Sequence, residues 1–227
     1  MTREHYDELL RELDSQVLLM GDLVVRTVDQ SIHALEHCDV TEAQRLIEAD
    51  TDIDDKRYDI ENQALLLIAT QQPLARDLRT IAAILTIATE LERIGDYCEG
   101  IAKLTLRMAS EEVLGPLTDI QSMATLTTRL LHEVLQAYRD RDLAAAGKVW
   151  KQDDDVDQIY EQIYRSLIAA MVTNPGSVRK NTYLIWVAHN VERMADRVTN
   201  IAERVAFVVT GDISAFRQQL EAQTLPR

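Results

Sequence analysis

Apolar residues recur in steps of three and four over residues 4 to 37, at Leu10, Leu13, Val17, Met20, Val24, Val28, Ile32 and Leu35. That period lines one face of a helix, so the spacing predicts a single long helix with one core-facing stripe. Cys38-Asp39-Val40-Thr41 interrupts the pattern, and Asp39 or Thr41 is the expected N-cap of the next helix. The second helix runs to about Thr70. Its first half is acidic, with Asp50, Asp52, Asp54, Asp55 and Asp59, and its second half is apolar, Ala64-Leu65-Leu66-Leu67-Ile68-Ala69. Gln71-Gln72-Pro73 marks a turn, because proline is tolerated only in the first turn of a helix and biases the preceding residue away from helix. A third helix is expected over residues 74 to 109, and Gly115-Pro116 closes the first half of the chain.

The second half repeats the first. Asp39-Val40-Thr41-Glu42-Ala43 aligns with Asp142-Leu143-Ala144-Ala145-Ala146, and Asp50-Thr51-Asp52-Ile53-Asp54 with Asp153-Asp154-Asp155-Val156-Asp157, both at an offset of 103 residues. Beyond the turn at Asn174-Pro175-Gly176, Leu91-Glu92-Arg93-Ile94-Gly95-Asp96 aligns with Val191-Glu192-Arg193-Met194-Ala195-Asp196 at an offset of 100. Self-similarity at a near-constant period means two copies of one unit. Each copy has three amphipathic stretches joined by short turns, which predicts an all-α chain of six long antiparallel helices in two tandem three-helix bundles, residues 1–112 and 113–227.

Composition narrows the picture. Seven glycines, four prolines and 5% aromatics in 227 residues disfavour sandwiches, barrels and disorder. A net charge of -14 argues against a nucleic-acid groove and for cationic partners or basic protein surfaces. Cys38 and Cys98 make no disulfide framework and no zinc knuckle, and are expected as buried thiols. The charged start, Met1 to Glu8, is no signal peptide, and no apolar run is long enough to cross a bilayer. The expectation is a cytoplasmic protein that meets a membrane only through a partner.

The chemistry lies in the acidic residues. Glu92 and Asp96 stand four residues apart, as do Glu192 and Asp196, so each pair shares a helix face and repels. In an antiparallel hairpin, residues equidistant from the turn lie side by side. Reflection through residues 72–73 takes Asp54 to about 91 and Asp50 to about 95; reflection through 175–176 takes Asp157 to about 194 and Asp153 to about 198. Each unit therefore brings four carboxylates together. Such a cluster raises its own pKa values unless something offsets the charge. A hard or borderline cation, magnesium, calcium, manganese or iron, would do so. The alternative is a solvated acidic face with Arg93, Arg193 and Arg197 as counter-charges.

Other features carry less. None of His5, His33, His37, His132 and His189 follows a Glu by three residues, so the Glu-x-x-His pair of di-iron oxidases is absent. His189, three residues before Glu192, is either an additional ligand or a capping or part-buried histidine. There is no glycine-rich phosphate loop and no visible nucleophile. Trp150 and Trp186 read as core or interface fillers, and Gly95 and Ala195 as sites of close helix approach.

Gln72-Pro73-Leu74-Ala75-Arg76-Asp77-Leu78-Arg79 and Leu91-Glu92-Arg93-Ile94-Gly95-Asp96, with Asn200-Ile201-Ala202-Glu203 after the second motif copy, resemble the signatures of the PhoU family along nearly the whole chain. The resemblance implies two three-helix bundles related by a pseudo-twofold. It also implies Glu/Asp-x-x-x-Asp motifs, which in some members hold iron or zinc clusters. Glu92, Asp96, Glu192 and Asp196 take those places, with Asp50, Asp54, Asp153 and Asp157 on the facing helices. It further implies a non-enzymatic homodimeric negative regulator of phosphate uptake and starvation signalling. Such a regulator contacts the ATPase subunit of a phosphate ABC transporter and a sensor histidine kinase, needs no organic cofactor, and is recruited peripherally to the inner face of the membrane. An accessory role beside a low-affinity phosphate permease is the alternative. Ala195 replaces the family's glycine, and Arg179-Lys180-Asn181-Thr182 stands where the first unit has Arg76-Asp77-Leu78-Arg79, so the second site is expected to be less occupied or tuned differently.

Overall fold

The structure, a computed structural model, describes residues 3–109 and 117–224. Gly115-Pro116 and the boundary at residues 112 and 113 lie outside the described residues. The described chain is helical throughout: α1 (Arg3–Glu36), α2 (Val40–Gln71), α3 (Arg76–Met108), α4 (Leu117–Asp140), α5 (Leu143–Lys151), α6 (Asp153–Thr173), α7 (Val178–Thr210) and α8 (Ile213–Thr224), with a 3₁₀ turn at Pro175–Ser177. Helices α1 to α3 form one antiparallel bundle. Helices α4, α5 with α6, and α7 form the second.

The stripe on α1 behaves as its spacing predicts, with Leu13, Val17, Met20, Val24, Val28, Ile32 and Leu35 all buried. Asp39, rather than Thr41, caps α2, its carboxylate accepting from the Glu42 amide. The innermost helices are α3 and α7, which pack along each other where the two bundles meet. Ile81, Ile84, Ile87, Leu91, Ile94 and Ile101 of α3 are fully buried, as are Leu184, Val187, Val191, Met194, Ile201 and Val205 of α7. Each such side chain contributes about 1.5–3 kcal/mol through removal from water. A second bridge joins α1 to α4: the Tyr138 hydroxyl donates to Asp14, which also accepts from Arg141 at 2.8 Å.

Three details depart from the sequence-based expectation. The second helix of the second unit is broken at Gln152, where the hydrogen bonds tighten to three-residue spacing (Gln152 N to Val149 O, 3.0 Å; Asp155 N to Gln152 O, 3.2 Å). Asp153, Asp154 and Asp155 then fill the first turn of α6, where a helix N-terminus favours negative charge. Gly211 (φ +80) ends α7 in the left-handed conformation, and Asp212 caps the unforeseen helix α8. Phe216 and Leu220 of α8 pack against Ala206, and Arg217 clamps the buried Glu203 carboxylate. Cys98 is buried, but Cys38 is only half-buried, in a left-handed backbone turn (φ 50). Trp150 packs on the core, whereas Trp186 is 46% exposed.

Candidate metal centre

The first carboxylate cluster is built by two helices that touch because one residue has no side chain. A Cβ on Gly95 would stand 2.9 Å from Ile53 Cδ1 and 3.6 Å from an Asp50 oxygen, so glycine lets α2 lie close against α3. In the second unit the corresponding pair is Val156 and Ala195, one methylene lost and one methyl gained. Gly95→Leu is therefore expected to cost about 2 kcal/mol by overpacking. Ile53→Val should relieve Gly95→Ala by about 0.5–1 kcal/mol of coupling, read from urea unfolding of the four proteins in the cycle; purely additive changes would refute this packing argument.

With the helices so placed, Asp50, Asp54 and Asp96 each offer an oxygen, and the three oxygens lie within 4.8 Å of one another. This is the one such group of three ligating side chains among the described residues. Glu92 sits beside it, but its carboxylate faces Arg57, with Nε to Oε1 at 3.3 Å. Arg57 also holds Glu61 at 3.0 Å and stacks on the Tyr58 ring. A fifth carboxylate, Glu99, joins the cluster, one that the i,i+4 pairs do not include. It lies one helical turn beyond Asp96, and its charge acts on both Asp50 and Asp96; Lys103 pairs with it at 2.5 Å. The i,i+3 step from Asp96 to Glu99 was the available signal.

The cluster strains its own ionisation. Burial, then the charges of Glu99, Asp96 and Asp54, push Asp50 up to about 6, against the opposing pull of Lys103. Burial, then Asp54 and Glu99, raise Asp96, while Arg93 and Lys103 oppose. Burial, then Asp96, raise Glu92, with Arg57 opposing. None of Asp50, Asp54 and Asp96 has an ion pair among the described residues.

The second unit gathers the equivalent residues differently. Burial, then Asp157 and Asp196, push Asp153 up to about 6, and a hydrogen bond from Thr199 opposes this. Burial, then Asp196, raise both Asp157 and Glu192. The four groups thus feel one another, yet no three of them close to the spacing seen in the first unit. Asp196 is held by Arg193 at 2.7 Å and approached by Arg197 at 3.6 Å. Glu192 lies 3.3 Å from Nδ1 of the half-exposed His189, which places His189 beside the cluster.

An all-oxygen set of carboxylates suits hard cations. Metal–oxygen bonds of about 2.0–2.6 Å place opposite ligands about 4–5 Å apart, the spread that Asp50, Asp54 and Asp96 already have. The residues present in the first unit fit such an ion without rearrangement of the helices.

Comparison with known proteins agrees with this architecture. The PhoU domain model matches the chain twice, over residues 17–105 and 120–205. The phosphate-specific transport system accessory protein PhoU homolog of Clostridium acetobutylicum is 36% identical over 212 residues, 93% of this chain and 97% of that protein. The Escherichia coli accessory protein PhoU is 32% identical over 202 residues, 89% and 84% of the two chains. The crystal structure of PhoU from Pseudomonas aeruginosa superimposes with a TM-score of 0.88 at 29% identity, covering 91% of this chain and all of that one. The regulatory protein PhoU of Streptococcus pneumoniae superimposes with a TM-score of 0.86 at 28% identity, covering 92% and 98%. Two consecutive PhoU domains, each carrying its acidic motif on the innermost helix, make this chain a member of the PhoU family.

Proposed function

We propose that the chain is a non-enzymatic accessory protein of a phosphate-specific transport system, which restrains high-affinity phosphate uptake and starvation signalling when phosphate is ample. The observation that carries this reading is the double PhoU-domain match, together with relatives named as accessory proteins of that system. Its partners in this reading are the ATPase subunit of a phosphate ABC transporter and a sensor histidine kinase. It works as a homodimer of chains whose two units run over residues 1–112 and 113–227. No helix of the described residues is long and apolar enough to cross a membrane, which suits a cytoplasmic adaptor recruited to the inner membrane face through its partners.

The carboxylates are the second part of the proposal. Asp50, Asp54, Glu92 and Asp96, with Glu99 beside them, hold one divalent or trivalent cation site, and Asp153, Asp157, Glu192 and Asp196 hold the other. The cation is iron, zinc, manganese or magnesium. When bound, the ion supplies the positive charge that the clustered carboxylates lack, and it ties α2 to α3 and α6 to α7. Because such an ion binds only the folded arrangement, it stabilises the body that the partners recognise.

Deleting the gene should leave phosphate-responsive genes expressed in phosphate-rich medium, measured as transcript levels, and re-expression should restore repression. Unchanged phosphate control in the deletion strain would remove the regulatory assignment. Association of the purified chain with the transporter ATPase subunit, tested by co-purification, separates this system from a permease.

A further inference from the structure

The two units present their carboxylates to different neighbours, and three substitutions between the repeats account for it. Position 97 is Tyr in the first unit, and its counterpart 197 is Arg; Glu99 becomes Thr199; Arg57 becomes Tyr160. In the first unit the cations therefore stand at the edges, Arg57 on Glu92 and Lys103 on Glu99, and leave Asp50, Asp54 and Asp96 open to one another. In the second unit two guanidinium groups reach the central carboxylate itself, Arg193 Nη1 at 2.7 Å and Arg197 Nη2 at 3.6 Å from the same oxygen of Asp196.

Arg197 is no ordinary surface cation. Its side chain is only 12% exposed, and its other nitrogen, Nη1, lies 3.4 Å from the buried carboxylate of Glu90, which also accepts from Asn200 at 3.1 Å. Glu90 belongs to α3, in the first unit, so Arg197 bridges the seam between the two bundles. Its Nε is buried without a hydrogen-bond partner. A guanidinium held in this way cannot leave for solvent at little cost, and any positive ion approaching Asp196 must repel it or displace it towards Glu90.

We propose that the two units are unequal cation sites: the first is open and fills first, while the second is kept partly closed by Arg193 and Arg197, whose charges a cation must displace. Both guanidinium groups distinguish the second site: Arg193 closes on Asp196 where its counterpart Arg93 makes no ion pair with Asp96 among the described residues, and Arg197, which replaces Tyr97, ties that carboxylate to the seam. This inference rests on the cation reading proposed above and specifies how it is divided between the repeats. It also makes Arg197 the route by which occupation of the second site is felt at the seam, through the shared partner Glu90.

The test is a manganese(II) titration of the chelator-stripped full-length protein near pH 7.5. Free ion is counted by its electron paramagnetic resonance signal, and bound ion by elemental analysis after gel filtration. Wild type should show one tight class and a second at least about tenfold weaker, and Asp50→Asn/Asp54→Asn should remove the tight class alone. Arg197→Tyr, which installs the first unit's residue, should tighten the second class by about tenfold, equivalent to about 1.4 kcal/mol. Because that change leaves Glu90 buried with only Asn200, the double variant Arg197→Tyr/Glu90→Gln removes both charges and should bind manganese with the same narrowed gap. Glu90→Gln alone should weaken the second class further, since Arg197 then leans wholly on Asp196. Two equal classes in wild type, or an unchanged gap in the double variant, would overturn the inference while leaving the cation reading standing. No bound manganese in wild type would overturn that reading and this one together.

Discussion

Addition of manganese(II) to the chelator-stripped protein at neutral pH should stabilise it by about 2.7 kcal/mol per site once the free ion exceeds its dissociation constant a hundredfold. The argument rests on the folded state alone: Asp50 and Asp54 on α2 and Asp96 on α3 are brought within 4.8 Å of one another only when the helices pack. The same geometry makes the substituted protein behave in an unusual way. Asp50→Asn/Asp54→Asn/Asp96→Asn removes the mutual repulsion and the cost of burying charge without changing side-chain size. The ion-free variant should therefore be more stable than ion-free wild type, by about 1–2 kcal/mol. It should also gain little from added ion at the first site. Most substitutions at a structural cluster destabilise, so the opposite sign separates a site held open for a ligand from a set of structural contacts. Urea unfolding with and without manganese measures both quantities. A triple variant that loses stability, or one that responds to manganese as fully as wild type, would sink the assignment.

The sequence carried the duplication and most of the helix plan because both are written in local pattern. The stripe from Leu13 to Leu35 and the copied motifs at Glu92 and Glu192 depend on spacing alone, and spacing survives folding. The hairpin reflection came within about a turn of the contacts that form. It could not fix which carboxylates meet, because the turn spans Gln72–Ala75, with positive φ at Gln72 and Ala75, and its centre lies beyond residues 72–73. Asp50 thus reaches past residue 95 to feel Glu99 and Asp96, and Glu92 meets Arg57. Arg57 was illegible for the same reason, since its role follows from rotation of two helices about their axes; Glu99 was signalled only by its i,i+3 step from Asp96.

A difference between the units was legible in Ala195 and in Arg179-Lys180-Asn181-Thr182, but the side chains that face Asp196 were not. The motif Glu192-Arg193-Met194-Ala195-Asp196 copies Glu92-Arg93-Ile94-Gly95-Asp96, yet Arg193 turns onto Asp196 and the residue just beyond the motif, Arg197 against Tyr97, brings a second charge to it. The break at Gln152 and helix α8 depend on tertiary partners too. Gln152 accepts from Arg129 of α4 at 2.8 Å, and α8 is held by packing on Ala206 and by the Arg217 clamp on Glu203.

Stability of the ion-free protein should fall as pH rises from 4 to 6.5, the reverse of the usual acid limb. Asp50 and Asp153 each ionise at about 6 in the folded chain, against about 3.9 for an unperturbed Asp, chiefly because burial disfavours the charged form. Between those values the folded protein holds more protons than the unfolded one, so stability is greatest below about pH 4 and is lost as pH passes 6. Glu92, Asp96, Asp157 and Glu192 are shifted in the same direction and widen the window. The carboxylates are only partly buried and solvent screens them, so the expected loss is about 1 kcal/mol in each bundle. Bound cation inverts the relation. It holds the carboxylates ionised, protons compete with it, and the loaded protein should instead lose stability as pH falls below 6. Unfolding midpoints measured from pH 4 to 8, in chelator and in manganese(II), should therefore converge at the acid end and diverge at neutral pH. In Asp50→Asn/Asp153→Asn the chelator curve should flatten. A chelator curve that climbs from pH 4.5 to 6.5 and is unchanged in Asp50→Asn/Asp153→Asn would mean that the protein itself offsets the charge of these carboxylates, leaving the cation no uncompensated cluster to stabilise.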